Sequence, residues 1–252
     1  MPTPFTHLAK AQRLIDDSRV SSEHKRFLRQ FWGAFLLGNI APDAHHEVET
    51  LKREDTHFFH YRPRVFPPPE QAILDQHPEI TASVLGNSAQ AAFVAGYLAH
   101  LAVDAAWCEE VLFPGFLLED WADNATRHFL FVTLLAFMDG RDYEILPPEH
   151  AVALADVSPQ YWLPFLPDTA LVRWRDTIVA QIRPGGTRQS LQIMGRTVSS
   201  GYHGLAAILD STTRLDAELW SRYPPTQLAG AEETAYQRMC ASVRVYLDTM
   251  IS

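Results

Sequence analysis

Cysteine is scarce in this sequence, and basic residues are outnumbered by acidic ones. The 252 residues contain two cysteines, Cys108 and Cys240, which lie far apart and form no CxxC or CxxxC pair. This arrangement excludes a disulfide framework and a cysteine-rich zinc module. With 21 Lys and Arg against 30 Asp and Glu, the formal net charge is −9. Broad nonspecific attraction to nucleic acid or to anionic lipid is therefore not expected.

The pattern of a secretory signal or of a transmembrane segment is also missing. The N-terminal residues lack a basic stretch followed by a long apolar run. The most apolar stretches are residues 91–107, which contain His100 and Asp104, and residues 129–138, which are too short to cross a membrane. A spanning helix needs about 20 mainly apolar residues. We therefore predict two buried core helices, no transmembrane segment and a cytoplasmic location.

The apolar periodicity is helical almost throughout, and no stretch shows the alternation typical of a strand. A helix is predicted from a cap at Ser21 or Ser22 to a stop at Gly38. Asn87 with Gln90 resembles a capping box that starts a long helix to about residue 112. The sequence predicts a single all-α domain over residues 1–252, built as a helical bundle. Its other helices are predicted near residues 8–15, 120–138, 149–156, 168–182, 188–222 and 227–251, with loops at 62–69 and 139–148.

One histidine and one aspartate form the clearest chemical pattern. His100 and Asp104 are four residues apart in an apolar stretch, so they share one face of a helix. A buried carboxylate is costly unless it is paired or bound to a metal. An imidazole and a carboxylate one turn apart can chelate the same cation. A His–Asp hydrogen bond inside a bundle also fits this spacing, and for HxxxD alone it is the commoner case.

Three further elements contain candidate ligands. Asp43 follows Pro42, which can begin a new turn. A carboxylate at that position is also explained by its preference for a helix N-terminus. His57 and His60 are three residues apart and can share a face, although a packed or capping histidine is common there. His7, near the start, indicates little by itself.

Together these elements resemble the zinc-dependent phospholipase C family, whose all-α fold is shared with the single-strand-specific fungal nucleases. The resemblance covers roughly residues 5–107 of the chain. Its motifs here are Phe-Thr-His7, Leu-Gly-Asn-Ile-Ala-Pro-Asp43, Thr-His57-Phe and Gly-Tyr-Leu-Ala-His100-Leu-Ala-Val-Asp104. The expected architecture is therefore a helical bundle of the phospholipase C and nuclease type.

The resemblance implies a cluster of two or three zinc ions with nitrogen and oxygen ligands. Asp43, His57, His100 and Asp104 would hold one ion. Asp104 would bridge to a second ion that also takes His7. In the family, the free N-terminal residue of the processed protein completes the coordination of the second ion. We do not expect this sequence to reproduce that ligand.

The sequence departs from the family pattern at the residues that would bind the third ion. The family has a histidine shortly after the HxxxD turn and an HxxxE pair on the next helix. Here Glu109 and Glu110 follow that turn, and the next helix offers His128. His128 is a candidate ligand, with Glu110, Asp120 or Asp123 as companions, and a surface or core histidine is the equal alternative. A two-metal centre is the safer prediction, and a site rich in carboxylate would also tolerate Fe or Mn.

The function implied is metal-dependent hydrolysis of a phosphoester, either a lipid headgroup or a small phosphorylated metabolite. Asp43 would hold a metal and orient the attacking water. Arg53, Arg62 and Arg64 flank His57 and are candidate phosphate ligands or a solvated rim. No stable nucleic-acid complex is expected. Two alternatives stay open: a di-iron or mixed-metal enzyme that activates oxygen, and a noncatalytic helical module that metal stabilises.

Overall fold

The computed structural model describes residues 1–60, 67–83 and 86–250. Within these ranges the regular elements are helical and no β-strand occurs, which confirms the all-α prediction. Besides the α-helices there are one 3-10 segment, Ala41–Glu47, and two π-helical segments, Cys108–Leu117 and Leu215–Trp220. The α-helices of the described ranges are α1 (Pro4–Asp16), α2 (Ser22–Gln30), α3 (Trp32–Ile40), α4 (Glu54–His57), α5 (Pro69–Gln76), α6 (Pro78–Ser83), α7 (Ser88–Trp107), α8 (Asn124–Glu144), α9 (Glu149–Ala155), α10 (Asp168–Ile182), α11 (Ser190–Gly195), α12 (Gly201–Leu209), α13 (Thr212–Arg214) and α14 (Pro225–Met250).

Local sequence signals explain how the first helices begin. Pro4 lies in the first turn of α1, where its missing N–H removes no helical hydrogen bond. The Ser21 side chain accepts a hydrogen bond from the His24 backbone N–H at 3.1 Å and caps α2, as predicted. The helix predicted from there to Gly38 is in fact two helices, α2 and α3, which meet at Phe31.

The crossing of α3 and α7 depends on two glycines. A Cβ atom on Gly38 would lie 2.0 Å from the Phe93 carbonyl oxygen, and one on Gly96 would lie 2.2 Å from the Phe35 carbonyl oxygen. The two backbones are therefore in direct contact, which a side chain at either glycine would prevent. The prediction that Gly38 ends a helix is wrong, because Gly38 lies inside α3 and permits the approach of α7.

The long apolar helix α7 is buried along nearly its whole length. The Asn87 side chain accepts a hydrogen bond from the Gln90 N–H at 3.1 Å, which confirms the predicted start. The helical path continues past the predicted end as the π-helical segment. By length and composition Ser88–Leu117 could cross a membrane, and its most apolar window is completely buried in the protein. The absence of a transmembrane segment therefore stays a prediction.

In the second half of the chain, tertiary contacts move several helix boundaries. The predicted loop at residues 139–148 is helical as far as Glu144 in α8. Asp142 in this polar stretch is buried and accepts a hydrogen bond from the Thr6 hydroxyl at 2.6 Å. The helix predicted for 188–222 is broken into α11, α12, α13 and a π-helical segment, with Gly201 at a φ of +65°. Most of the predicted loop at 62–69 lies outside the described residues, and Pro69 begins α5.

The buried apolar side chains of the described residues form two clusters, both of which include residues from α7 or its π-helical continuation. The larger cluster joins α1, α3, α7, α10 and α14. The smaller one groups Trp107 and Val111 with side chains of α8 and α14. The predicted single domain and the phospholipase C type of bundle both stay predictions.

Candidate metal centre

Most of the predicted ligands meet in the interior, beside the crossing of α3 and α7. Two groups have donor atoms that all lie within 4.8 Å of one another. The first contains His7 of α1 with His100 and Asp104 of α7, and the second contains Asp43 of the 3-10 segment, His57 of α4 and His100. His100 belongs to both groups. The structure therefore brings together residues from four separate helical segments.

The position of His100 is fixed by a backbone carbonyl group. Its Nδ1 lies 2.8 Å from the Asn39 carbonyl oxygen, which can only accept a hydrogen bond. Nδ1 must therefore be protonated and donate, which leaves Nε2 of the neutral ring with a lone pair. Asn39 adjoins Gly38, so the close crossing of α3 and α7 brings this carbonyl to His100.

His57 is held in the same tautomer at the end of α4. Its Nδ1 lies 3.2 Å from the Arg53 carbonyl oxygen and 3.1 Å from the Thr56 hydroxyl. The Tyr97 hydroxyl donates to the Thr56 carbonyl at 2.6 Å and fastens α4 to α7. Phe58, with a φ of 60° in the left-handed region, ends the helix. Nε2 of His57 therefore faces the interior as a hydrogen-bond acceptor.

Acceptor atoms converge at this point. Nε2 of His57 lies 3.4 Å from Nε2 of His100. The same His57 atom is 3.5 Å from an oxygen of Asp43 and 3.5 Å from Asp104 Oδ2, which is 3.6 Å from His100 Nε2. Lone pairs that face one another repel unless a proton or a metal cation lies between them. Zinc–nitrogen bonds of about 2.0–2.1 Å place tetrahedral ligand atoms about 3.4 Å apart, which matches these distances.

The first group, which contains His7, has polar atoms that lack hydrogen bonds among the described residues. His7 Nε2 lies 3.4 Å from Asp104 Oδ1, and the His7 ring stacks on His100 with centroids 3.8 Å apart. Both nitrogens of His7 and Asp104 Oδ1 are buried without a hydrogen-bond partner among the described residues. Buried polar atoms are nearly always hydrogen-bonded. An imidazole nitrogen and a carboxylate oxygen are suitable metal ligands, so the residues present fit a metal ion.

Burial and mutual charge set the ionisation of these groups. Burial lowers the pKa of His7 and of His57 to about 4, which keeps both rings neutral near pH 7. Burial would raise the pKa of Asp104, but contacts with His100 and His7 hold it well below its usual range. Burial would lower the pKa of His100, but Asp104 outweighs it and the pKa is raised. The negative charge of Asp104 therefore favours a proton on His100 in metal-free protein.

An arginine side chain and the N-terminal amino group lie next to the centre. Nη2 of Arg53 is 3.1 Å from Asp104 Oδ2, and its guanidinium lies 4.4 Å from the Phe59 ring centroid. The Met1 amino group is buried, and this burial lowers its pKa although Asp104 opposes the shift. The side chains of Arg53 and Asp43 are 14% and 19% exposed, and that of Asp104 is 1% exposed. Solvent therefore reaches the centre beside Asp43 and Arg53. Arg62 and Arg64 lie outside the described residues.

The structure does not bring His128 to this cluster. His128 is exposed on α8, and its Nε2 lies 3.0 Å from the Thr197 carbonyl oxygen. The stripe of α8 that packs on the second apolar cluster contains Leu130 and Leu134. His128 lies outside this stripe, so the packing of α8 turns it toward solvent.

The candidate companions of His128 have other surroundings. Asp123 caps α8 by accepting a hydrogen bond from the Thr126 N–H at 2.7 Å. The Asp120 side chain is 95% exposed, and Glu110 is exposed on the π-helical segment. His60, whose side chain is 58% exposed, lies 3.5 Å from Glu54. The three candidate companions of His128, and His60 as well, are absent from the two donor groups found among the described residues.

Comparison with protein-family models, with curated proteins and with solved structures finds no match to this chain. The resemblance to the zinc-dependent phospholipases C therefore rests on the sequence motifs. The convergence of the donor atoms is a separate observation, since it depends on the packing of α1, α3, α4 and α7.

Proposed function

We propose that His7, Asp43, His57, His100 and Asp104 bind divalent metal ions and that the protein hydrolyses a phosphoester at this centre. The observation that best supports metal binding is the set of nitrogen and oxygen acceptors at 3.4–3.6 Å from one another. Imidazole and carboxylate suit Zn²⁺, and a site with two carboxylates also admits Fe or Mn.

The donor set accommodates more than one ion. Asp43, His57, His100 and Asp104 would hold the first. His7 and the other oxygen of Asp104 would contribute to the second, because the two Asp104 oxygens lie near different histidines. Two is therefore the number we propose, and a third ion has no described ligand set, because His128 lies elsewhere.

The side chains next to solvent would handle the substrate. When bound, the metal ions would neutralise phosphate charge and lower the pKa of a water molecule toward neutrality. Asp43 is the most exposed of the five proposed ligands and would orient that water. Arg53 offers a guanidinium group beside Asp104, and guanidinium groups bind phosphate oxygens well. A phosphoester of a lipid headgroup or of a small metabolite fits this pair of groups.

One observation favours the noncatalytic alternative. The side chains of His7, His57, His100 and Asp104 are 0–1% exposed. A metal ion held by such groups alone would stabilise the fold without contacting a substrate. The partly exposed Asp43 and Arg53 favour the catalytic proposal over this alternative. A cytoplasmic location and the lack of a nucleic-acid complex stay predictions.

Metal content tests the proposal directly. The protein would be purified without an affinity metal, reconstituted with zinc and compared with Asp104→Asn by elemental analysis. Asp139→Asn is the matched control, because Asp139 is also a buried helical aspartate but lies outside the donor groups. We expect about two zinc ions per chain in the parent and the control, and a clear loss in Asp104→Asn.

Activity then separates the alternatives. A chromogenic phosphodiester, a phosphomonoester and phospholipid vesicles would be tested with and without a chelator. Chelator-sensitive hydrolysis would support the proposal. Bound metal without any hydrolysis would favour the noncatalytic module, and bound iron with oxygen consumption would favour the oxygen-activating enzyme. No metal after reconstitution would refute the proposed centre.

A further inference from the structure

A cavity of about 710 Å³ lies at the loop before α10. Its wall contains Tyr161, Trp162 and Phe165 from this loop and Ile80 from α6. None of the donor residues of the proposed metal centre lines it. The cavity is therefore separate from the proposed metal centre, and a ligand could bind there whether or not the centre holds metal.

The aromatic wall of the cavity is rigid. The Trp162 ring is 5% exposed and packs against Phe93 with centroids 5.0 Å apart. The Trp162 backbone carbonyl accepts a hydrogen bond from the Gln90 side chain at 3.1 Å. Phe165 packs against the His77 ring at 4.6 Å. A ligand would find these surfaces already in place, which lowers the entropic cost of binding.

Tyr161 presents its ring to solvent at the edge of this wall. The residue is 94% exposed and has a φ of 56°, in the left-handed region. Asp168 holds it there, since Asp168 Oδ2 accepts the Tyr161 backbone N–H at 2.6 Å. A large aromatic ring at this position offers contact area to a ligand.

The ionic side chains described along the cavity wall are both acidic. Glu79 and Asp168 are the ionic side chains among the described residues that line it, and no Lys or Arg is among them. Asp168 Oδ1 is buried and accepts no hydrogen bond from the described residues. A buried carboxylate oxygen is stabilised by a cationic partner. Aromatic faces attract cations as well.

We propose that this cavity binds an organic cation, an ammonium group attached to an apolar or aromatic body. The carboxylate of Asp168 would neutralise the charge. Tyr161 and Trp162 would contact the body of the ligand, and Glu79 would add a second negative charge at the α6 side. Neutral and anionic molecules of the same size would lack the electrostatic part of this attraction.

Isothermal titration of the full-length protein with benzyltrimethylammonium would test the proposal. Benzyl alcohol and phenylacetate are the neutral and anionic probes. We expect saturable binding of the cation, at least about tenfold tighter than either other probe. Equal or weaker binding of the cation than of benzyl alcohol, or no saturable binding, would overturn the proposal.

Three variants assign the binding to the cavity. Asp168→Asn keeps an oxygen for the Tyr161 N–H but removes the charge, and we expect about tenfold weaker binding of the cation. Asp176→Asn is the matched control, because Asp176 is exposed on the same helix and does not line the cavity. Glu79→Gln changes a different helix and should also weaken binding of the cation. It keeps the test decisive even where Asp168→Asn does not fold. Unchanged affinity in the cavity variants, or equal loss in Asp176→Asn, would overturn the proposal.

Discussion

Two backbone carbonyl groups decide what the central histidines can do. The Asn39 and Arg53 carbonyls each accept a hydrogen bond from Nδ1 of a histidine, His100 and His57 respectively. Both rings must then present Nε2 without a proton when neutral. Side-chain hydrogen bonds of this kind orient metal-binding histidines. Such contacts are invisible in the sequence, because a carbonyl group belongs to every residue.

Substitution of single histidines separates ligands from bystanders. His7→Ala should lower the zinc content of reconstituted protein, because it removes an imidazole that faces Asp104 Oδ1 at 3.4 Å. His128→Ala should leave the zinc content unchanged, because His128 is exposed on α8 and contacts the Thr197 carbonyl. Elemental analysis of both variants measures this directly. A loss of zinc in His128→Ala would contradict the site described here.

Replacement of Arg53 should lower the stability of the metal-free protein and increase the stabilisation that added zinc provides. Arg53→Gln leaves the buried Asp104 carboxylate without its guanidinium partner at 3.1 Å, so we expect a loss of about 2 kcal/mol in unfolding free energy. Bound zinc should restore part of that loss by mass action. Urea unfolding with and without zinc provides the measurement.

The matched control for Arg53→Gln is Arg173→Gln. Arg173 pairs with Glu47 at 3.2 Å, but its side chain is 55% exposed. An exposed pair contributes little, so this variant should stay within about 0.5 kcal/mol of the parent. Equal stability of the two variants would show that the Arg53–Asp104 contact does not stabilise the protein.

At the scale of elements, the crossing of α3 and α7 builds the centre. It brings together the Asn39 carbonyl and His100, and it leaves Asp43 just past the end of α3. Gly38 and Gly96 permit this because each lies against the backbone of the other helix. The two small residues therefore determine the position of the proposed ligands although neither belongs to the donor groups.

An alanine at position 38 should disrupt both the fold and the centre. Its Cβ would lie 2.0 Å from the Phe93 carbonyl oxygen, so the helices must separate, at a cost of about 3 kcal/mol. Gly230→Ala on α14 is the control, because a Cβ there meets no atom within 4 Å. That change should be neutral or stabilise by up to about 1 kcal/mol. Thermal unfolding of both variants tests this, and a stable Gly38→Ala would contradict the close crossing.

The sequence predicts the helices and the residues that share a helix face better than it predicts what packs against them. The spacing of His100 and Asp104 correctly places them on one face of α7, and the Asn87 cap marks where that helix starts. Gly38 is misjudged as a helix end, because its partner lies in α7, far along the chain. The sequence leaves His128 open between a ligand and a surface histidine, because the choice of buried face on α8 depends on which helices pack against it.

For the whole molecule, stability in acid depends on histidines that are buried without a charge. Burial lowers the pKa of His7, His57 and His150 from 6.5 to about 4. Between these two values the unfolded chain binds more protons than the folded protein. The free energy of unfolding therefore falls as the pH is lowered through this range, by up to about 1.4 kcal/mol per pH unit for each such histidine.

His150 allows this effect to be measured apart from the metal centre. Its Nε2 lies 2.9 Å from the Gln12 side-chain oxygen, it is 1% exposed, and it is absent from the donor groups. In metal-free protein, His150→Gln should reduce the slope of unfolding free energy against pH between 6.5 and 4. His203→Gln, at an exposed position on α12, is the matched control for the loss of a histidine. Urea titrations at several pH values give both slopes. An unchanged slope in His150→Gln would mean that His150 binds its proton equally in the folded and unfolded states, contrary to the burial seen beside α1.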